Sequence, residues 1–201
     1  MDDDELQTEH GGAGGQGSRG ERGRSDHDGS LSPAPLPSRS SAPLHPSAQR
    51  VADAAAGLGL TIDIVTFTEP TRTAEQAAAA IGCEVGQIVK SLVFTVGGAP
   101  VMALVSGANQ LDTRKLAALF SVGRKQVERA DADTVRGATG YAIGGVPPFG
   151  HATAMTVYVD EDLMSYDVIW AAAGTPNTVF PITPADLLRA SGGQARDLKT
   201  G

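Results

Sequence analysis

The stretch IVKSLVFTVGGAPVMALVS, residues 88–106, decides the fold. Residues 88–96 form an apolar, β-branched run that reads as a strand, and residues 100–106 return as a second one. Gly97 and Gly98 lie between them. Two adjacent residues free to take positive φ suit the two-residue turn whose twist matches an antiparallel pair. The reading is a β-hairpin, and it anchors everything around it.

Working outward, the hydrophobic pattern alternates between helix and strand without a regular βαβ rhythm. Upstream, Ser47 caps a helix to about Leu58, residues 61–67 have strand composition, and Thr73 caps an Ala-rich helix that Gly82 stops. Downstream, Asp112 or Thr113 starts a helix through Phe120, residues 121–130 include a short strand, and residues 132–140 read as another short helix. Strands follow at 154–159, 168–173 and 178–182, and Thr183-Pro184 opens a last helix. The expected architecture is α/β, a mixed and largely antiparallel sheet with packed helices, in a single domain.

That domain occupies residues 47–201 of the 201. Residues 1–46 are rich in Gly, Ser, Asp, Arg and Pro with few aliphatic side chains. They cannot bury enough apolar surface to offset backbone ordering, so a disordered tail is expected there. The tail's GGAGGQG lacks the flanking strand and helix that a dinucleotide fingerprint needs. Cys83 is the only cysteine, so an intrachain disulfide is excluded. No apolar run is long enough for a membrane span and the acidic start has no signal-peptide pattern, which makes the cytoplasm the expected compartment.

The net charge of −7 argues against a general nucleic-acid coat. Basic residues nevertheless gather at Arg114, Lys115, Arg124, Lys125, Arg129 and Arg136. A local positive face on an acidic protein suits a partner with a few phosphates; the plainer reading is a solvated helix face and turn.

Of the four histidines only His151 lies in the domain. With one Cys beside it, no Cys/His zinc cluster can be built, and no cofactor motif appears. Three segments remain as carriers of chemistry. Lys90 sits in an otherwise apolar strand, where it is either an anchored point charge for a phosphate or a snorkelling surface residue. GGVPPFG, residues 144–150, combines free and stiffened backbone and suits a loop that bares N–H groups to an oxyanion, with Phe149 as a wall; it also suits an ordinary connection. In AAAGTPNTVF, residues 171–180, Gly174 permits close approach of a ligand or chain, and Thr175 and Asn177 offer hydrogen bonds that turn chemistry alone also explains. His151 is either a substrate contact and proton relay or an exposed loop residue. Cys83 reads as a small apolar residue, and Asp160 as a cap.

IVKSLVF, GGVPPFG and AAAGTPNTVFPITPADLL, in this order and spacing, resemble the YbaK/EbsC family, relatives of the editing domain inserted in bacterial prolyl-tRNA synthetases. The resemblance covers about residues 47–195. It implies a compact α/β domain with an open pocket that hydrolyses the ester between a wrongly attached small amino acid and the terminal adenosine of tRNA. By that resemblance Lys90 positions the acceptor end, and Gly144, Gly145, Pro147 and Gly150 belong to the loop around the aminoacyl group. Gly174 matches the glycine of the late strand-end turn. Phe149, His151, Thr175 and Asn177 are the further substrate-binding candidates. The family is viewed as metal-free and cofactor-free, and tRNA is the implied partner. Two other readings stay open: a catalytically silent tRNA- or nucleotide-binding module, and a small-molecule esterase.

Overall fold

In the computed structural model, which describes residues 43–201, the elements follow one another as α1 (Pro46–Gly57), β1 (Val65–Thr66), α2 (Ala74–Ile81), β2 (Val89–Val96), β3 (Ala99–Ser106), α3 (Thr113–Leu119), β4 (Val127–Arg129), α4 (Ala132–Thr139), β5 (Thr156–Asp160), β6 (Ile169–Ala172), β7 (Thr178–Ile182), α5 (Pro184–Ser191) and β8 (Gln194–Arg196). Short 3-10 turns at Val85–Gln87, Arg124–Gln126 and Glu161–Ser165 connect some of them. The disordered tail expected for residues 1–46 lies, as far as residue 42, outside the described residues.

The hairpin forms as its glycines require. Gly97 and Gly98 take φ of +58° and +87°, and Val96 faces Ala99 in a register that runs unbroken to Val89 opposite Ser106. Around this pair a five-stranded sheet has the order β4-β2-β3-β5-β8. β4 joins antiparallel, whereas β3–β5 and β5–β8 are parallel. A second, antiparallel sheet has the order β1-β7-β6. A single bridge between Ile88 and Trp170 joins the two sheets. The sheet is therefore mixed and mainly antiparallel.

β3 is buried on both faces, which explains its unbroken apolar sequence. Met102 and Leu104 pack into the larger core with Val51 of α1, Phe180 of β7 and Leu187 of α5. Val101, Ala103 and Val105 face the other way onto Leu116 and Ala117 of α3. Phe180, Leu104 and Leu187 are fully enclosed, and each such side chain contributes roughly 1.5–3 kcal/mol on leaving water. A third, smaller cluster seats α2 through Ala77, Ala78 and Ile81 on Phe67, Ile88 and Val179.

Helix ends follow the expected capping chemistry with one correction. Thr73, Asp131 and Thr183 accept from the N–H groups of Gln76, Thr134 and Asp186, and Gly82, Gly140 and Gly192 close those helices at positive φ. Ser47 does not cap α1. His45 does, its Nδ1 accepting from Ser47 N–H at 3.1 Å, with Pro46 as the first helical residue. The strand expected at 61–67 contracts to Val65–Thr66, the residues that enter the ladder with β7, while Phe67 N–H donates to Asn177 O at 2.8 Å just beyond it. Ile62 and Ile64 still pack on the core from a segment outside the strands. β8 carries no apolar alternation, and it forms because β5 offers it an edge. No helix of the described residues is long and apolar enough to cross a membrane.

Candidate functional site

A cleft of about 430 Å3 opens where the two sheets meet. β4 pairs with β2 only over Phe94–Val96, and β6 meets β2 at the Ile88–Trp170 bridge, so between these two β2 has β3 alone as a paired strand. Val89–Leu92 border the cleft. The start of α2 and the Thr71–Thr73 segment form the facing wall, and Trp170, Ala172 and Pro176 form the third side. Ile143, Gly144 and Val146 close the end.

Lys90 is the best-organised charge in the cleft. Its Nζ donates to the carbonyl of Gly107 at 3.2 Å and to that of Asn109. An ammonium has three N–H bonds, so one remains for a ligand. The acceptors are themselves fixed. Gly107 N–H donates to Ile88 O at 2.7 Å, and a Cβ on Gly107 would stand 2.1 Å from Val85 O, so only glycine fits. Asn109 donates through its side-chain amide to Asp160 and Asp162, each at 2.8 Å. Asp160 is fully buried and also accepts from Ser106 N–H at 3.1 Å, while Lys199 pairs with Asp162 at 2.8 Å. This network holds the turn that holds Lys90. Burial lowers the Lys90 pKa from the ordinary lysine value, and the charges of Glu75 and Asp160 partly offset that.

Arg72 and Arg129 also border the cleft, against Glu75 as the one bordering carboxylate. Glu75 is held below the usual carboxylate range by its own backbone N–H and by Thr73. Three cations against one carboxylate, on a chain of net charge −7, mark the cleft for an anionic ligand.

The glycine-proline loop behaves differently along its length. Gly144 is exposed at φ +90° and borders the cleft. Gly145 lies behind it: its N–H donates to Ala142 O at 3.1 Å and its carbonyl accepts from Gly174 N–H at 2.9 Å. A Cβ on Gly145 would meet Thr175 Cα and N at 2.7 Å. Gly174, at φ +94°, would place a Cβ 2.6 Å from Ser47 O. The close approach that Gly174 permits is therefore that of the start of α1. Pro147 and Phe149 are buried and do not border the cleft; Phe149 packs on Phe180 with ring centroids 5.6 Å apart. Gly150 abuts Ala54 of α1. His151 turns back onto the loop, its Nε2 2.8 Å from Pro147 O, and burial lowers its pKa. Thr175 bonds Asn177 and Thr178, and Asn177 donates to Phe67 O at 3.2 Å, so both serve the turn. Of the sequence candidates, Lys90 and Gly144 border the cleft and the others do not.

Trp170, Arg72, Arg129, Glu75 and Ser91 border the cleft without having been singled out as site residues. Trp170 carried a legible signal: it is the only Trp and shares the less buried face of β6 with Ala172, while Ile169 and Ala171 point inward. Among the described residues no group of three or more His, Cys, Asp or Glu side chains is placed to hold a metal. Cys83 packs beside the small cluster under α2, and burial raises its pKa. Of the basic stretch, Arg114 pairs with Asp112 at 2.8 Å and Lys115 with Asp197 at 2.6 Å. The guanidinium of Arg114 holds the Asp112 carboxyl at a pKa of about 2.

Comparison with known proteins gives a consistent result. The family model described as "Aminoacyl-tRNA editing domain" matches residues 68–190. An Enterococcus faecalis protein named as a Cys-tRNA(Pro)/Cys-tRNA(Cys) deacylase, EbsC, is 33% identical over 136 residues, covering 67% of this chain and 81% of the relative. A proline–tRNA ligase of Maridesulfovibrio salexigens is 34% identical over 105 residues, covering 52% of this chain and 17% of the ligase. A solved structure described as a trans-editing enzyme for prolyl tRNA synthetase superposes with TM-score 0.75 at 47% identity, covering 79% of this chain and all of that one.

Proposed function

The chain belongs to the aminoacyl-tRNA editing domain family, and on that premise we propose how its cleft works as an aminoacyl-tRNA deacylase. The substrate is a tRNA wrongly charged with a small amino acid. The reaction is hydrolysis of the ester at the terminal adenosine: water oxygen bonds to the carbonyl carbon, the bond to the ribose oxygen breaks, and that oxygen takes up a proton.

The observation that carries this reading is that Lys90 and Gly144, 54 positions apart in sequence, border the same cationic cleft. Lys90, pinned by two carbonyls, presents its remaining N–H to a phosphate of the acceptor end. Gly144 N–H and the edge of β2 between β4 and β6 offer backbone groups to the ester carbonyl. An aminoacyl ester is already activated, so orientation and stabilisation of the oxyanion can provide much of the acceleration. Trp170 supplies a flat apolar surface suited to a base. The partner is the aminoacylated end of tRNA, and the compartment is the cytoplasm, where such substrates are made and used.

Lys90→Ala tests the assignment on mischarged tRNA. A rise in KM with reduced turnover is expected. Unchanged values of both reject Lys90 as the phosphate contact, and binding of mischarged tRNA by the wild type without ester loss rejects hydrolysis itself.

A further inference from the structure

Asn109 does not border the cleft, whereas Lys90 and Gly107 do. It reaches the site through one atom, its main-chain carbonyl oxygen, which accepts from Lys90 Nζ. Its side-chain amide nitrogen donates to Asp160 Oδ2 and to Asp162 Oδ2, each at 2.8 Å. Asp160 Oδ2 also accepts from Ser106 N–H at 3.1 Å. Asp162 is held below the usual carboxylate range by Lys199 and by Asn109 itself. Both partners are acceptors, so the two N–H bonds of a primary amide match the two carboxylates one to one.

Lys90 depends on this anchor. Two of its three N–H bonds are committed to the carbonyls of Gly107 and Asn109, so the direction of the third is set by where those carbonyls stand. The Gly107 carbonyl is located by the chain itself, because Gly107 N–H donates to Ile88 O at 2.7 Å and no Cβ fits there. Two positions on, past the exposed Ala108, the chain is tied by Asn109 N–H to Ser106 O at 3.0 Å and by the side-chain amide. The far end of that amide is firm: Asp160 is the last residue of β5 and is fully buried, and Asp162 lies in the turn that follows. The end of β5 therefore fixes, through Asn109, one of the two atoms that fix Lys90.

We propose that Asn109 is a positioning residue of the deacylase: its amide, held by Asp160 and Asp162, aims the remaining N–H of Lys90 at the acceptor-end phosphate. The inference rests on the deacylase reading and adds to it a residue outside the cleft. The role is one of geometry, since Asn109 is neutral and touches no ligand-facing surface of the cleft. A displacement near 1 Å of a group that seats the substrate reduces turnover by up to about 100-fold. Replacing the amide by an apolar side chain of the same shape therefore matters even though every residue bordering the cleft is kept.

The test is a double-mutant cycle of Asn109→Leu with Lys90→Ala on a mischarged tRNA, repeated on the affinity for the uncharged tRNA, which needs no turnover. Leucine keeps the shape and removes both donors. Asn109→Leu alone is expected to raise KM and to lower kcat/KM by about 10–100-fold. In Lys90→Ala the same substitution is expected to change kcat/KM and affinity by less than about 2-fold, because the group it aims is gone. Equal losses in both backgrounds mark a merely structural role and overturn the inference. Should thermal unfolding show that Asn109→Leu does not fold, Asp162→Leu carries the cycle, since Asp162 is only half-buried. Removing that carboxylate would by charge alone favour an anionic substrate, so a loss of affinity there points to position. Unchanged KM and affinity in the folded variant also overturn the inference. Absence of turnover by the wild type instead rejects the deacylase reading, and the affinity cycle still decides the role of Asn109.

Discussion

Gly145→Ala probes how the loop is held in place. An added methyl would meet Thr175 Cα and N at 2.7 Å and the carbonyl carbon of Gly174 at 2.8 Å. All three are backbone atoms, so no rotamer change relieves the clash. Relief requires the 143–146 segment to move away from the 174–177 turn, which also breaks the 2.9 Å hydrogen bond from Gly174 N–H to Gly145 O. Overpacking of this kind costs about 1–3 kcal/mol, and a broken hydrogen bond adds about 0.5–1.5 kcal/mol. The expected destabilisation is roughly 2–4 kcal/mol. At about 2–4 °C per kcal/mol for a protein of this size, the melting temperature falls by about 5–15 °C. Gly144 moves with its neighbour, and a shift near 1 Å at a reacting centre can reduce turnover by up to about 100-fold. Calorimetry and single-turnover deacylation measure the two effects on the same sample. An unchanged melting temperature with abolished activity would refute the reasoning, because Gly145 would then act on the ligand and not on the wall behind it.

Two further outcomes follow from the charges. Burial depresses the His151 pKa below the ordinary histidine value of 6.5, so the fold binds fewer protons than the unfolded chain. Its contribution to stability is fully present above that value and is lost as pH falls through the folded pKa; urea titrations across that window should show a shallower loss for His151→Gln than for the wild type. Equal slopes would mean that His151 is not protected from protonation. Arg124 and Lys125 are exposed, whereas Arg114 and Lys115 are engaged by carboxylates. Neutralising Arg124 and Lys125 together should weaken tRNA binding more at low salt than at high, lowering the salt slope by about one for each phosphate left without its cation. Affinity indifferent to the change identifies the patch as solvated surface.

Local chemistry was legible wherever a residue's own backbone preference decides the outcome. The Gly97-Gly98 turn, the capping Thr and Asp residues, the left-handed glycines that end helices and the isolated Lys90 in an apolar strand all read directly, because each choice is settled within a few residues. The same reading over-extended the strand at 61–67, since alternation fixes a face but cannot supply a partner. It placed the cap of α1 at Ser47 because the preference for Ser is stronger than any signal from His45-Pro46.

Sequence alone therefore determined the hairpin, the helix ends and the segments around which a site had to form. Tertiary structure alone decided which members of those segments meet solvent. Gly144 and Gly145 are adjacent and chemically identical, yet one borders the cleft and the other is pressed against Thr175 thirty positions away. Ser91 and Lys90 are neighbours whose side chains leave β2 on opposite faces, one on the face of Val89 and Val93 in the larger core and one toward the 107–109 turn. Backbone preference acts over a turn or two of chain, whereas access to a ligand depends on what packs behind a residue, and that comes from segments remote in sequence.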